Sequence, residues 1–433
     1  MAASVNTDGD SLIVFNTLGM ARTDVVITDM PKTEEFAILD SDGTPLTWQK
    51  TYDGKLAFLA KDVPAKGYKA FRIISGSSAA DGSVSVTLDG AENNFYKLSF
   101  NEDMNISNLY HKESGRSVAP DGEVLNNLVA YEDRSHVYEA WDIKCYYDEK
   151  SWNIDNVAGK EIVESGPVRS VIRVDREFNT STITQYFVFY PHTCRIDVNY
   201  DIDWKERNVA LKAHYPVDVN TTKATYDIQF GNIERTTHNN TTWDYAQFEC
   251  CGHKWADLSD NSFGLSVLND CKYGWTIKEG SIKPTLLRSA TEPNYDQDRE
   301  RHQFTYAIYP HSGAVNTSDV VYEGYNLNVP MYCKAVGVQS GNLPSEYSLV
   351  SVDAGNVIIE TVKKAEDSDA IIIRCYETWN KKTACEFTFG SYIVSVSECN
   401  LLEEKDCELE FIGNKLTAEF KPFEIKTFKV ILK

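Results

Sequence analysis

The side chains best able to do chemistry crowd into two neighbouring segments, Thr237-His238-Asn239-Asn240-Thr241-Thr242-Trp243-Asp244 and Gly252-His253-Lys254-Trp255-Ala256-Asp257. A sugar ring has one apolar face and an edge of hydroxyls, so hydroxyl-rich ligands are held by aromatic faces, planar amides and carboxylates. His238, Asn240, Trp243 and Asp244 offer such groups from a stretch that reads as a loop rich in side-chain-to-backbone hydrogen bonds. His253, Trp255 and Asp257 fall at i, i+2 and i+4, which on a strand places them on one face. His and Asp on one face could bind a metal or pass a proton. Two ligands do not make a metal site, however, and the plainer alternative is a hydrogen-bonded His253 and Asp257 around a core Trp255. The eighth candidate for substrate contact is His302, behind the charged run Asp296-Gln297-Asp298-Arg299-Glu300-Arg301, which itself reads as a solvated loop. Glycoside hydrolysis normally needs two carboxylates across the scissile bond. Asp244, Glu249, Asp257, Asp270, Asp296 and Asp298 are available, but with 64 acidic residues in the chain the choice of a pair is arbitrary.

The elements that must position these groups read as strands almost throughout. Cys194 to Trp204 alternates with period two, as does Ser83 to Leu88. β-Branched and aromatic runs recur at Val168 to Arg176, Thr182 to Tyr190, His302 to Tyr309, Val357 to Val362, Ala370 to Tyr376 and Phe423 to Leu432. No long amphipathic helix is legible. The expected fold is all-β and built of sandwiches. Three pieces are expected: a small sandwich at 1–75, a large block at 76–345 holding nearly all of the His and Trp, and a second small β piece at 346–433. Ser75-Gly76-Ser77-Ser78-Ala79-Ala80-Asp81-Gly82 reads as a small-residue linker. The central block is too long for an ordinary sandwich and predicts two large sheets with functional groups on one concave face.

Charge and cysteine usage narrow the function class. A net charge of −21 disfavours nucleic acid and anionic membranes as partners. No apolar run approaches the roughly 18 residues of a membrane span, and the first residues lack the pattern of a secretory leader. The ten cysteines are scattered without a C-x-x-C pair, which fits free thiols in a reducing cytoplasm. Nucleotide-binding glycine loops, H-E-x-x-H and G-x-S-x-G are all missing.

Six further segments are more specific in combination: Ala213-His214-Tyr215-Pro216, Tyr226-Asp227-Ile228-Gln229-Phe230-Gly231, Glu249 to Leu258, Leu268 to Gly274, Leu286-Leu287-Arg288-Ser289 and Phe304 to His311. With Val14-Phe15-Asn16-Thr17-Leu18, Ile359 to Asp367 and Pro422 to Thr427 they are spread along nearly the whole chain. The sequence resembles the C-terminal half of glycoside hydrolase family 38 α-mannosidases of the bacterial and cytosolic type. That resemblance implies a galactose-mutarotase-like supersandwich flanked by smaller β-sandwiches. It also implies that the catalytic parts, an aspartate nucleophile and a zinc-type divalent ion, belong to an N-terminal β/α barrel whose motifs are not matched here. The expectation is therefore a chain with no catalytic residue and no cofactor of its own. It would brace the barrel of a mannoside-hydrolysing, homo-oligomeric enzyme and could lend loops to its site. Two alternatives stay open: a non-catalytic carbohydrate-binding module using Trp243 and Trp255, and a mutarotase-like epimerase with His238 or His253 as acid.

Overall fold

The computed structural model describes residues 1–433 apart from Glu34 and residues 80–83. Strands dominate, and the longest helix among the described residues is Val320–Asn328. The β-branched runs of the sequence become strands Ser170–Phe178, Ser181–Phe189, Arg301–Ser312, Val357–Lys364, Ile371–Glu377 and Ile425–Leu432. Branched and aromatic side chains have few rotamers to lose on a pleated surface and pack well across it. In Ile196–Asp203 the period-two pattern is literal: Val198, Tyr200 and Ile202 are buried, while Asn199, Asp201 and Asp203 are not. Ser83, the start of the other alternating run, and residues 80–82 of the small-residue stretch lie outside the described residues. Among the described residues no helix is long and apolar enough to cross a membrane.

The chain divides into two compact units, Met1–Asp81 with Val329–Lys433, and Gly82–Asn328. In the first, Ser11–Asn16 lies between Gly67–Ile74 and Tyr332–Val336, antiparallel to both. Leu12, Val14, Val26, Phe58 and Phe71 form its core. A second core around Phe387, Phe420 and Phe428 fills the space between a three-stranded and a five-stranded sheet. The stretch 329–345, placed by sequence in the central block, thus belongs to the first unit, because Tyr332–Val336 completes a sheet begun at Ser11.

The second unit carries the candidate chemistry. A nine-stranded sheet runs from Val157–Ser165 at one edge to Gly231–Thr236 at the other, with Arg301–Ser312 in the middle. A six-stranded sheet has Asn127–Glu132, Val209–Pro216 and Ser281–Arg288 as its consecutive inner strands. Rings join the two: Trp275 of the smaller sheet meets Tyr306 of the larger edge-on at 6.1 Å. Tyr200 and Tyr215, one from each sheet, both donate to the buried Oδ1 of Asn126, at 2.9 and 3.0 Å. Buried phenols need such partners, because an unpaired hydroxyl out of water costs about 1–3 kcal/mol.

Candidate functional site

In the strand Val209–Pro216, Leu211, Ala213 and Tyr215 point into the core, so Lys212, His214 and Pro216 point away from it. Part of that outer face is roofed by Tyr147 and Phe248, which pack with Val129, Tyr131 and Ala210. The remainder is open and forms a cleft of about 770 Å³. Its floor is a row across three strands. Asn127 is the register partner of His214. The pairs Lys212 with Thr285 and Tyr215 with Ile282 set Lys283 beside His214 on the other side. Thr237, His238, Glu123, Asp218 and Glu279 stand in the walls.

The floor has unequal halves. Lys212 is buried but fully engaged: its ammonium donates to Glu249 Oε2 and to Thr276 Oγ1, both at 2.9 Å. Thr285 also donates to Glu249. Burial acts to raise the Glu249 carboxyl, but the charge and hydrogen bond of Lys212 and the Thr285 bond outweigh it, so it sits below its ordinary value. The Lys283 ammonium, one row away and partly exposed, makes no hydrogen bond or ion pair among the described residues. Burial and the charge of Lys212 lower its pKa, against the opposing pull of Glu279 and Asp148. His214 lies between. Burial, then Lys283 and Lys212, push its imidazole down to about 3, so it is neutral near pH 7. Tyr131, whose phenol is raised by burial, lies with its Oη 2.7 Å from Nε2. A protonated phenol donates to Nε2, which leaves the ring proton on Nδ1.

The eight sequence candidates do not form one site. His238 alone of them lines the cleft. Asp244 is the clamp of its own loop: Thr241 caps the short helix Thr242–Tyr245 in a reciprocal capping box with it. Thr236 and Thr241 donate to its two oxygens at 2.8 and 2.7 Å. Those bonds, Thr241 first, hold its carboxyl below the ordinary value. Lys278 ties the loop down by donating to the carbonyls of His238 and Asp244 at 3.2 and 3.1 Å. Asn240 is exposed, and Trp243 stands 84% exposed on this rigid base. His253 precedes the strand Trp255–Ser259 and meets Tyr273 edge-on at 5.0 Å. His302 is turned onto the carbonyl of Asp298 at 2.8 Å.

Trp255 and Asp257 correct the sequence reading. Each is only 1% exposed, so the face they share is an inner one and offers no ring or carboxylate to a ligand in solution. Helix Val320–Asn328 closes over Trp255 because Gly324 has no side chain there: a Cβ would come within 2.9 Å of the indole. Asp257 accepts from Ser259 and Ser266, both at 2.6 Å, and lies 2.8 Å from His311 Nε2. Conversely, Asn127, His214 and Lys283 were not singled out for function. The period-two alternation of Val209–Pro216 was the available signal, since it already set Lys212 and His214 opposite Leu211 and Tyr215.

Residues 91–296 match the model of the glycosyl hydrolases family 38 C-terminal domain, and residues 356–428 match that of the family's C-terminal beta sandwich domain. The chain belongs to glycosyl hydrolase family 38. It is 35% identical to α-mannosidase G of Dictyostelium discoideum over 350 residues, which is 78% of this chain and 32% of that protein. It is 32% identical to human α-mannosidase 2C1 over 355 residues, 80% of this chain and 34% of that one. The chain thus spans about a third of the length of these curated relatives. Its fold is that of an α-mannosidase from Enterococcus faecalis V583, with a TM-score of 0.82 at 16% identity over 99% of this chain and 57% of the other. Among the described residues no three His, Cys, Asp or Glu side chains are grouped to hold a metal ion.

Proposed function

We propose that this chain is the C-terminal β region of a retaining α-mannosidase and works with an N-terminal β/α barrel that holds the aspartate nucleophile and a zinc-type divalent ion. The observation that carries the reading is the fold shared over 99% of the chain with an α-mannosidase, joined to 35% identity with a second one. In this role the chain braces the barrel. Its loop at His238, stiffened by Asp244 and Lys278, is the part best built to reach a mannoside. The reading includes a cytoplasmic, homo-oligomeric enzyme, and the ten free cysteines suit a reducing compartment. Its domains are proposed as 1–75, 76–345 and 346–433, with the pairing of Tyr332–Val336 arguing for an end of the central block at Asn328. Assay of the 433-residue chain with an aryl α-mannoside, with and without zinc or cobalt, is expected to give no turnover. Turnover at the rate of a full-length α-mannosidase would overturn the division of labour.

One observation favours a second reading, a carbohydrate-binding module. Trp243 holds a large apolar ring in water on a loop too well tied down to fold it away. Quenching or a blue shift of tryptophan fluorescence on titration with manno-oligosaccharides supports that reading, and a flat response removes it.

A further inference from the structure

We propose that loops 133–142 and 291–296 of the second unit display a stacking platform for a neutral oligosaccharide, with Tyr138 and Trp141 as its corner and Tyr295 as its second station. The inference stands on the geometry of these two loops. It does not rest on the mannosidase reading, and it concerns a different loop from that of Trp243.

The three rings stand in water on loops that are pinned from below. Tyr138, Trp141 and Tyr295 are 67%, 70% and 63% exposed. Beneath them Arg288, which donates to Asp133 at 2.6 Å, also donates to the carbonyls of Glu139 and Asp142, both at 3.0 Å. Glu139 Oε2 accepts from the N–H and the hydroxyl of Thr291, both at 2.7 Å, and from Asn208 at 3.2 Å. The Ala140 N–H donates to the Glu292 carbonyl at 3.2 Å, which ties the two loops together one residue from Trp141 and three from Tyr295. Tyr138 is held at a φ of 58°, a left-handed conformation that is costly for an aromatic residue. Its carbonyl accepts from the N–H groups of Trp141 and Asp142, at 3.0 and 2.9 Å. The turn that strains Tyr138 is therefore the turn that sets Trp141 beside it. Strain kept in order to hold large rings out of the core is the mark of a surface used for binding.

Ring geometry, patch size and charge select the occupant. Tyr138 and Trp141 meet with centroids 6.3 Å apart and planes at 77°, so they form a corner and not a flat patch. A sugar ring, apolar on its face and polar on its edge, stacks on one wall of such a corner and abuts the other. Val137 is the only other large exposed apolar side chain on these loops, whereas a standard protein interface takes roughly 20–30 residues a side. The charges flanking the rings are mostly answered from within: Asp142 pairs with Lys144, and Asp296 with Arg207 and Arg299. That favours a neutral ligand over an ionic one. Glu292, exposed at the junction of the loops, is left to accept from ligand hydroxyls. The Arg207 guanidinium lies 4.2 Å from the centroid of the Tyr295 ring and covers one of its faces, which leaves the other to stack. Two stations on joined loops suit a chain of sugar rings better than a single one.

Isothermal titration of the 433-residue chain near pH 7 with cellotetraose, an α-linked mannotetraose, their two monosaccharides and tetramethylammonium tests this. At least one tetrasaccharide is expected to bind, about tenfold or more tightly than its monosaccharide, and Trp141→Ala to weaken that binding by about tenfold or more. Tyr392→Ala, which removes a ring of similar exposure from the first unit, should stay within about threefold of the parent. Tyr138→Gly suits a φ of 58° and should hold or raise Tm while weakening the tetrasaccharide by about threefold or more. No binding of either tetrasaccharide up to about 20 mM, unchanged binding by a folded Trp141→Ala chain, or tetramethylammonium bound as tightly as the tetrasaccharide would each overturn the proposal. Should Trp141→Ala fail to fold, Tyr138→Gly decides in its place, and unchanged binding there overturns the proposal equally.

Discussion

His214 and His311 sit on the two large sheets of the same unit, His311 buried and His214 partly buried, and their pKa values are moved in opposite directions. His311 lies in Arg301–Ser312 with its Nε2 2.8 Å from Asp257 Oδ2. Burial alone would lower it, but the charge and hydrogen bond of Asp257 overcome burial, so its pKa is raised. His214 is pushed down to about 3 by burial first, with Lys283 and Lys212 adding to it. Burial lowers both; at His214 the lysines add to it, whereas at His311 the Asp257 carboxylate reverses it. The surroundings differ in a second way. Both oxygens of Asp257 are taken, by Ser259, Ser266 and His311, and Gly264 stays bare because a Cβ would lie 2.8 Å from the His311 ring. Around His214 the cleft is open, and Lys283 and Asn127 keep unused polar atoms. The His311–Asp257 pair is a closed structural joint, whereas His214 faces an open cleft.

The sharpest way to break that comparison is to remove the joint. Asp257→Ala leaves a buried imidazole without its counter-charge and two serines without their acceptor, and is expected to cost about 3–5 kcal/mol in urea unfolding. His214→Gln removes no ion pair and should cost far less. A loss below about 1 kcal/mol for Asp257→Ala would mean the pair is solvated and the contrast false.

The pH dependence sharpens the same contrast, because the two histidines have opposite linkage. The folded pKa of His311 is raised, so its stabilising contribution is complete below the ordinary value of 6.5 and fades as pH rises through the raised value. The folded pKa of His214 is lowered, so its contribution is complete above 6.5 and is lost as pH falls toward about 3. Replacing His311 with Gln should therefore flatten the alkaline limb of the stability profile, and His214→Gln the acid limb. About 2 kcal/mol is expected on the acid side between roughly pH 6.5 and 4, after discounting the partial exposure of His214. Urea unfolding of both variants across that range checks it; the same limb flattening in both would refute the opposite directions of the two shifts.

The strands were legible in the sequence because a sheet with one wet face writes its period directly into the residues, as Ile196–Asp203 does. What one segment cannot carry is its partner. Ser11–Asn16 pairs with Tyr332–Val336, more than three hundred positions away, and the helix Val320–Asn328 that covers Trp255 is short. Period two put Trp255 and Asp257 on a common face, but whether that face is wet depends on the strands beside it and the helix above. The cleft was hidden for the same reason. Asn127, His214 and Lys283 become neighbours only through the register of three strands. His238 was found because it lies in a locally dense polar loop.

The smallest expected effect concerns that loop. Thr241→Ala removes a side-chain cap that closes on Asp244 in both directions, and should cost about 1 kcal/mol. Trp243→Ala, two residues on, should change stability by less than about 0.5 kcal/mol, because the ring is 84% exposed and buries almost nothing. The pair separates scaffold from display. If the tight bonds of Thr241, Asp244 and Lys278 exist to present Trp243, then Thr241→Ala should weaken any manno-oligosaccharide response of the chain as Trp243→Ala does, at a stability cost that Trp243→Ala lacks. A Trp243→Ala loss of 1 kcal/mol or more would instead mean that the ring packs against the chain in solution. The loop would then be ordered by its tryptophan.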